Sequence, residues 1–126
     1  MDGKLFDSSG MINCVWMGKA EKAAGQHTIE LVKYEIGNYA WKRRSELREE
    51  ECLRILEKLL ELVETMKVLN LDFKESLLLA VREGISFYDS SYLQAALRNG
   101  LTLVTDDSRL REAASKHVKV LGSSEV

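Results

Sequence analysis

Five short apolar runs, separated by longer stretches with helical periodicity, constrain this chain more than any other feature of its sequence. They fall at about residues 4–7, 28–31, 68–71, 101–104 and 118–121, each too short for a helix and suited to a strand. The run 28–31 reads equally as a short strand or as the entry to the next helix. Helical spacing fills the intervals. Met11, Ile12, Val15 and Trp16 mark a helix over 11–17, and Val32, Ile36, Tyr39 and Ala40 another over 32–44. The longest helical pattern, 46–66, carries Leu53, Leu56, Leu59, Leu60 and Val63 as one stripe. Further helices are predicted over 73–83, from Asp89 to a stop at Asn99-Gly100, and over 108–116. Strand and helix in alternation argue an α/β fold with a mainly parallel sheet covered on both faces. In such open sheets ligands gather at the carboxyl ends of the strands.

The 126 residues are expected to form one domain, long enough to bury about two-thirds of the surface of the unfolded chain. There is no proline, so turns rest on Gly, Asn, Asp and Ser. The longest apolar run, Leu77 to Val81, is far short of a membrane span, and the first residues lack an apolar signal region, so a cytoplasmic protein with no membrane association is expected. Cys14 and Cys52 stand apart in helical patterns and read as reduced, buried thiols. His27 and His117 are isolated, which leaves neither a zinc site nor a Ser-His-Asp triad. The tail 122–126 is expected to fray.

The chemistry lies in the acids. Asp7 ends the first strand, Asp106 and Asp107 follow the run 101–104, and Asp89 opens a helix. If those strands are adjacent and parallel, their exits meet at one edge, over which Glu35 can lean. Each acid also has a structural reading: Asp7, Asp89, Asp107 and Asp72 are all plausible N-caps, and Glu35 a plain surface acid. Four carboxylates crowded together need a counter-charge, and hard divalent cations such as Mg²⁺ or Mn²⁺ match oxygen donors. The formal net charge of −2 argues against nucleic acid at first sight. Setting the four acids aside turns it into +2.

Other phosphate chemistries are not indicated. There is no Gly-rich turn ending in Lys-Ser or Lys-Thr, and no Gly-x-Gly-x-x-Gly. A haloacid-dehalogenase-like site would place two Asp around one residue after the first strand, whereas Asp7 is followed by Ser8-Ser9.

Four segments in order, Leu5-Phe6-Asp7-Ser8-Ser9, Glu35-Ile36-Gly37-Asn38, Tyr88-Asp89-Ser90-Ser91-Tyr92-Leu93-Gln94-Ala95-Ala96 and Leu103-Val104-Thr105-Asp106-Asp107, resemble the four motifs of PIN domains, most closely of the VapC type. The resemblance spans nearly the whole chain, residues 1–126 as a single PIN domain. It departs in the short segment between Asp7 and Glu35. It implies a three-layer α/β/α sandwich with about five strands and a Mg²⁺- or Mn²⁺-dependent endoribonuclease. Carried over by position, the metal-binding quartet is Asp7, Glu35, Asp89 and Asp107. Ser8, Asn38 and Thr105 support it, and Asp106 is an outer or fallback ligand. Lys33, Lys42, Arg43, Arg44 and Arg109 are then candidate RNA phosphate contacts, each equally a solvated surface charge. The type also implies a homodimer and a VapB-type antitoxin, for which Trp16, Met17 and Trp41 are candidate groove residues. Core packing is the stronger expectation for the two tryptophans. A solitary PIN nuclease of RNA processing or quality control, and a non-catalytic PIN-like binding module, are the alternatives.

Overall fold

The computed structural model describes residues 3–126. Its elements run β1 (Lys4–Phe6), α1 (Ser8–Trp16), β2 (His27–Ile29), α2 (Leu31–Trp41), α3 (Glu49–Glu64), β3 (Lys67–Leu69), α4 (Phe73–Glu83), α5 (Phe87–Arg98), β4 (Thr102–Val104), α6 (Ser108–Ala114) and β5 (Val120–Leu121). All five expected strands form one parallel sheet in the order β3-β2-β1-β4-β5. The run at 28–31 resolves into both readings, with β2 ending at Ile29 and α2 starting at Leu31.

Strand alternation divides the core. Leu5 and Leu103 pack with Leu93, Ala96 and Leu110 under α5 and α6, while Phe6 and Val104 pack with Met11, Ile36, Leu59 and Val63 under α1 to α3. The fold is therefore a three-layer α/β/α sandwich. β1 is central, with the chain leaving it toward β2 on one side and β4 on the other, so the sheet reverses its winding between β1 and β4. Phe6 sits opposite Val104, and the Asp7 N–H continues the ladder to the Val104 carbonyl at 3.1 Å. Helix α1 lies hard against that edge. A Cβ on Gly10 would come within 2.6 Å of the Val104 carbonyl oxygen.

Several expectations change. Helix α1 begins at Ser8 rather than at 11, because Asp7 caps it through the Gly10 N–H. Asp107 caps α6 through the Leu110 N–H, and Asp72 caps α4 through the Glu75 N–H. Asp89 is not a cap: Ser86 caps α5 by accepting from the Asp89 N–H, which puts Asp89 inside the first turn. Helix α2 stops at Trp41, so Lys42, Arg43 and Arg44 lie in the turn beyond it. Cys14 is buried but Cys52 only partly so. Trp16 and Trp41 are exposed by 60% and 54%, against the core packing expected of them. The tail does not fray either. Ser123 is buried, its carbonyl accepts from Lys19 Nζ at 2.9 Å, and residues Ser123–Glu125 form a short 3-10 turn.

Candidate metal centre

The exits of β1 and β4 supply the fixed part of the site. Asp7 is buried, and its two carboxylate oxygens are held by different elements. Oδ1 accepts from the Gly10 N–H and the Ser9 hydroxyl, both at 2.8 Å, and Oδ2 accepts from the Thr105 hydroxyl at 2.5 Å. Thr105 Oγ1 in turn accepts from the Asp107 N–H at 3.1 Å, which fixes the turn after β4 relative to β1. Despite these bonds, burial pushes the Asp7 carboxyl up from 3.8 to about 7.

The other acids close around it. Glu35, on α2, accepts from the Tyr92 hydroxyl at 2.5 Å. Burial and the neighbouring Glu35 carboxylate hold the Tyr92 phenol well above its usual range, so the proton stays on tyrosine. Asp89 is half-buried, and its carboxyl is raised by burial, then by Asp107 and Glu35, with Arg109 acting in the opposite direction. Asp7 also feels Glu35. All four expected carboxylates are thus linked electrostatically, Asp7 to Glu35, Glu35 to Asp89 and Asp89 to Asp107. Among the described residues, no three Asp, Glu, His or Cys side chains converge tightly enough to enclose an ion as they stand. The donor set still fits a hard divalent cation: carboxylate and hydroxyl oxygens, mutually repelling acids and a single opposing arginine.

Asp106 turns away from this group. Its Oδ2 accepts from Asn13 Nδ2 at 2.6 Å and from the Ser123 hydroxyl at 2.5 Å, and its Oδ1 from the Ser123 N–H at 2.8 Å. Those bonds hold its carboxyl below the usual range against the effect of burial. Asp106 fastens the tail and α1 to the turn and is not placed as a ligand.

A cleft of about 310 Å³ runs from the acids between α1 and α2, lined by Ser8, Asn13, Glu35, Asn38, Tyr39 and Lys42. Ser8, Asn38 and Lys42 thus line one cleft with Glu35. Arg43 lies over the Tyr39 ring at 4.2 Å. Two expected cations lie elsewhere. Lys33 pairs with Glu30 at 3.0 Å and lines a separate pocket with Leu60, Met66 and Val68. Arg44 stacks over Trp41 at 3.6 Å in a groove with Leu47 and Leu53. Tyr92, Ser9 and Asn13 are site residues that the sequence reading missed. Only Tyr92 had a local signal, one helical turn after Asp89.

Comparison with known proteins identifies relatives of the chain and of its fold. Residues 5–116 match the family described as "PIN domain associated with the TPR-GreAB-C-PIN system". The chain is 37% identical over 102 residues to a Pyrobaculum aerophilum protein named Ribonuclease VapC3, covering 75% of this chain and 78% of that one. It is 38% identical over 97 residues to Exonuclease VapC9 of the same organism, covering 75% and 69%. The crystal structure of PAE2754 from Pyrobaculum aerophilum superposes with a TM-score of 0.76 at 30% identity, over 98% of this chain and 92% of that one. A structure of VapBC-1 from nontypeable Haemophilus influenzae shares the fold, with a TM-score of 0.63 at 13% identity, over 96% and 98% of the two chains.

Proposed function

The chain belongs to the PIN-domain family, in its VapC group, and from that premise we propose that it is a Mg²⁺- or Mn²⁺-dependent endoribonuclease, the toxin of a type II toxin–antitoxin pair, acting as a single PIN domain in the cytoplasm. The observation that carries the reading is that Asp7 and Asp107, after two adjacent parallel strands, share one neighbourhood with Glu35 of α2 and Asp89 of α5, each acid acting on the charge of another. A bound divalent ion supplies an activated water and charge neutralisation at the scissile phosphate. The protein's own groups do the rest. Asp7, braced by Gly10, Ser9 and Thr105, is a fixed donor that cannot swing away. Glu35 is oriented by Tyr92, while Asp89 and the exposed Asp107 complete the rim. Arg109 tempers the repulsion at Asp89 and offers a cation to an incoming phosphodiester. Hydrolysis would leave a 5′ phosphate and a 3′ hydroxyl.

Two exposed apolar faces support protein partners for this nuclease. One is the groove between α1 and α3, where Val15, Trp16, Ile55 and Leu59 stand among Arg54, Glu57, Lys58 and Glu61, a mixed lining that suits an amphipathic antitoxin segment. The other is the face of α4 that shows Phe73, Leu77 and Val81, one helical turn apart, which suits a second copy of the chain. No helix among the described residues is long and apolar enough to cross a membrane. The family description favours a second reading, in which the nuclease works beside a TPR–GreAB-C system without a VapB-type antitoxin. Co-purification of a small protein encoded beside this chain separates the two.

The test of the activity uses a circular and a linear RNA of one sequence, with EDTA-treated protein and added Mg²⁺, Mn²⁺ or neither. Metal-dependent opening of the circle is expected, falling at least about 100-fold in Asp89→Asn and Asp107→Asn. Loss of linear RNA alone would assign an exonuclease. Cleavage that survives in both variants would overturn the site.

A further inference from the structure

Asp106 stands between Thr105 and Asp107 yet turns its carboxylate onto two distant segments, Asn13 of α1 and Ser123 beyond β5. Its main chain faces the acids instead. The Asp106 N–H donates to the Ser9 hydroxyl at 3.0 Å, and that hydroxyl donates to Asp7 Oδ1. One residue therefore joins the Asp7 carboxylate to the segment after β5. Ser123 is held on each of its polar atoms. Its N–H and hydroxyl donate to Asp106, its carbonyl accepts from Lys19 Nζ at 2.9 Å, and it is 1% exposed. Glu125 closes the segment, its Oε1 accepting from the Gly122 N–H at 2.6 Å and pairing with Arg111 of α6 at 3.1 Å. Gly122 has no room for a side chain: a Cβ would press on the Arg111 guanidinium and stand 3.1 Å from Asp106 Oδ1. Asp107 is exposed, and two bonds place it. Its N–H donates to Thr105 Oγ1 at 3.1 Å, and its Oδ1 accepts from the Leu110 N–H at 2.9 Å. Both depend on the path of the chain through Asp106.

We propose that the segment 122–125 is a strap that positions Asp107 and thereby sets the affinity of the acid group for its divalent ion. Ser123 and Asp106 are its positioning residues. The proposal rests on the metal-centre reading of the four acids. Hydrogen bonds to a carboxylate are of the strong, charge-assisted kind, and three of them fasten Asp106. An exposed ligand on a loosened turn gives up freedom when it binds a cation, whereas one already held does not. Groups that orient a ligand from behind therefore govern metal affinity without touching the ion.

Calorimetric titration of EDTA-treated, RNA-free protein with Mn²⁺, well below the unfolding temperature of every variant, tests it. Ser123→Ala removes one donor to Asp106, changes no charge and lies outside the acid group. Mn²⁺ binding about tenfold weaker is expected. The Mn²⁺ concentration for half-maximal cleavage should rise by the same factor, with kcat at saturating Mn²⁺ retained. Asp106→Asn can still accept from the Ser123 N–H, with the Asn13 amide turned over, whereas Asp106→Ala cannot. Asparagine should therefore keep most of the affinity that alanine loses. Equal losses in the two would make Asp106 a matter of charge and overturn the strap. Lys19→Met removes a cation, which by itself would tighten Mn²⁺ binding; released from Lys19, the strap should instead weaken it, by about threefold. Tighter binding in this variant would also overturn the proposal. Hydrogen exchange over residues 104–110 gives a reading without metal, expected to be faster in Ser123→Ala and slowed again by saturating Mn²⁺. Affinity and exchange both as in wild type would overturn the strap and leave the metal centre standing. A wild type that binds no Mn²⁺ would overturn the metal centre itself.

Discussion

Replacing Asp7 with asparagine is expected to stabilise the metal-free protein while removing its chemistry. Asp7 is buried, and burial lifts its carboxyl from 3.8 to about 7. A carboxyl raised in this way favours folding only when protonated. That contribution is complete below pH 3.8 and is lost as pH rises through about 7. With about 1.4 kcal/mol for each pKa unit, the charge costs the fold about 4 kcal/mol at pH 8 and about 2 kcal/mol at pH 5. Asparagine has the same shape without the charge. Its Oδ1 can keep the Gly10 N–H and the Ser9 hydroxyl, and its NH₂ would face Thr105 Oγ1, which turns from donor to acceptor. Thr105 already accepts from the Asp107 N–H and has one lone pair to spare. Allowing about 1 kcal/mol for the weaker hydrogen bond leaves a gain of about 3 kcal/mol at pH 8 and about 1 kcal/mol at pH 5. Urea denaturation of EDTA-treated wild type and Asp7→Asn at both pH values measures it. An m-value of about 1.5 kcal/mol/M converts the pH 8 gain into a midpoint shift of about 2 M. An equal gain at both pH values, or a variant less stable than wild type at pH 8, refutes the reasoning, because only the cost of a buried charge produces that pH dependence.

Other substitutions probe the same scaffold. Thr105→Val removes the donor to Asp7 and the acceptor for the Asp107 N–H, and should lower stability by about 2–4 kcal/mol; a denaturation midpoint equal to wild type would contradict the brace. Gly10→Ala drives a Cβ against the Val104 carbonyl and should cost about 2 kcal/mol or more, read as a drop in Tm; a neutral result would mean that α1 can lift from the sheet edge. Of the four tyrosines, Tyr92 should escape alkaline titration until the protein unfolds, and Tyr92→Phe should remove that late component from an ultraviolet titration. A wild type whose tyrosines all ionise before unfolding would place Tyr92 away from Glu35.

The sheet, and the positions of Asp7 and Asp107 just beyond two of its strands, were legible because their signals are local. A short apolar run bounded by an acid reads the same in sequence and in structure, as at Leu5-Phe6-Asp7. Contacts between distant segments left no such trace. Tyr92 meets Glu35 across 57 positions, and Ser123 meets Lys19 across 104, so nothing near either residue announced the bond. The two tryptophans misled because large rings usually bury. Trp16 instead lies at the surface with its indole N–H donating to the Tyr39 hydroxyl, and Trp41 lies there with Arg44 over one face. The choice between Asp106 and Asp107 was open in the sequence and follows from backbone alternation. Thr105 is turned toward Asp7, so the next side chain is turned the other way, toward Asn13 and Ser123.

The central position of β1 also sets a timetable. Asp7 leaves the ribosome before Thr105, which braces it and is made 98 positions later. At about 5–20 residues per second, that separation is an interval of about 5–20 s. Until β4 arrives, β1 has β2 as its only neighbour, and the Asp7 carboxylate faces water where Thr105 and the turn of Asp107 will later stand. The acids therefore cannot be assembled on a half-made chain. A polypeptide whose synthesis stops before β4 carries Asp7, Glu35 and Asp89 but not the strand exit that would gather them.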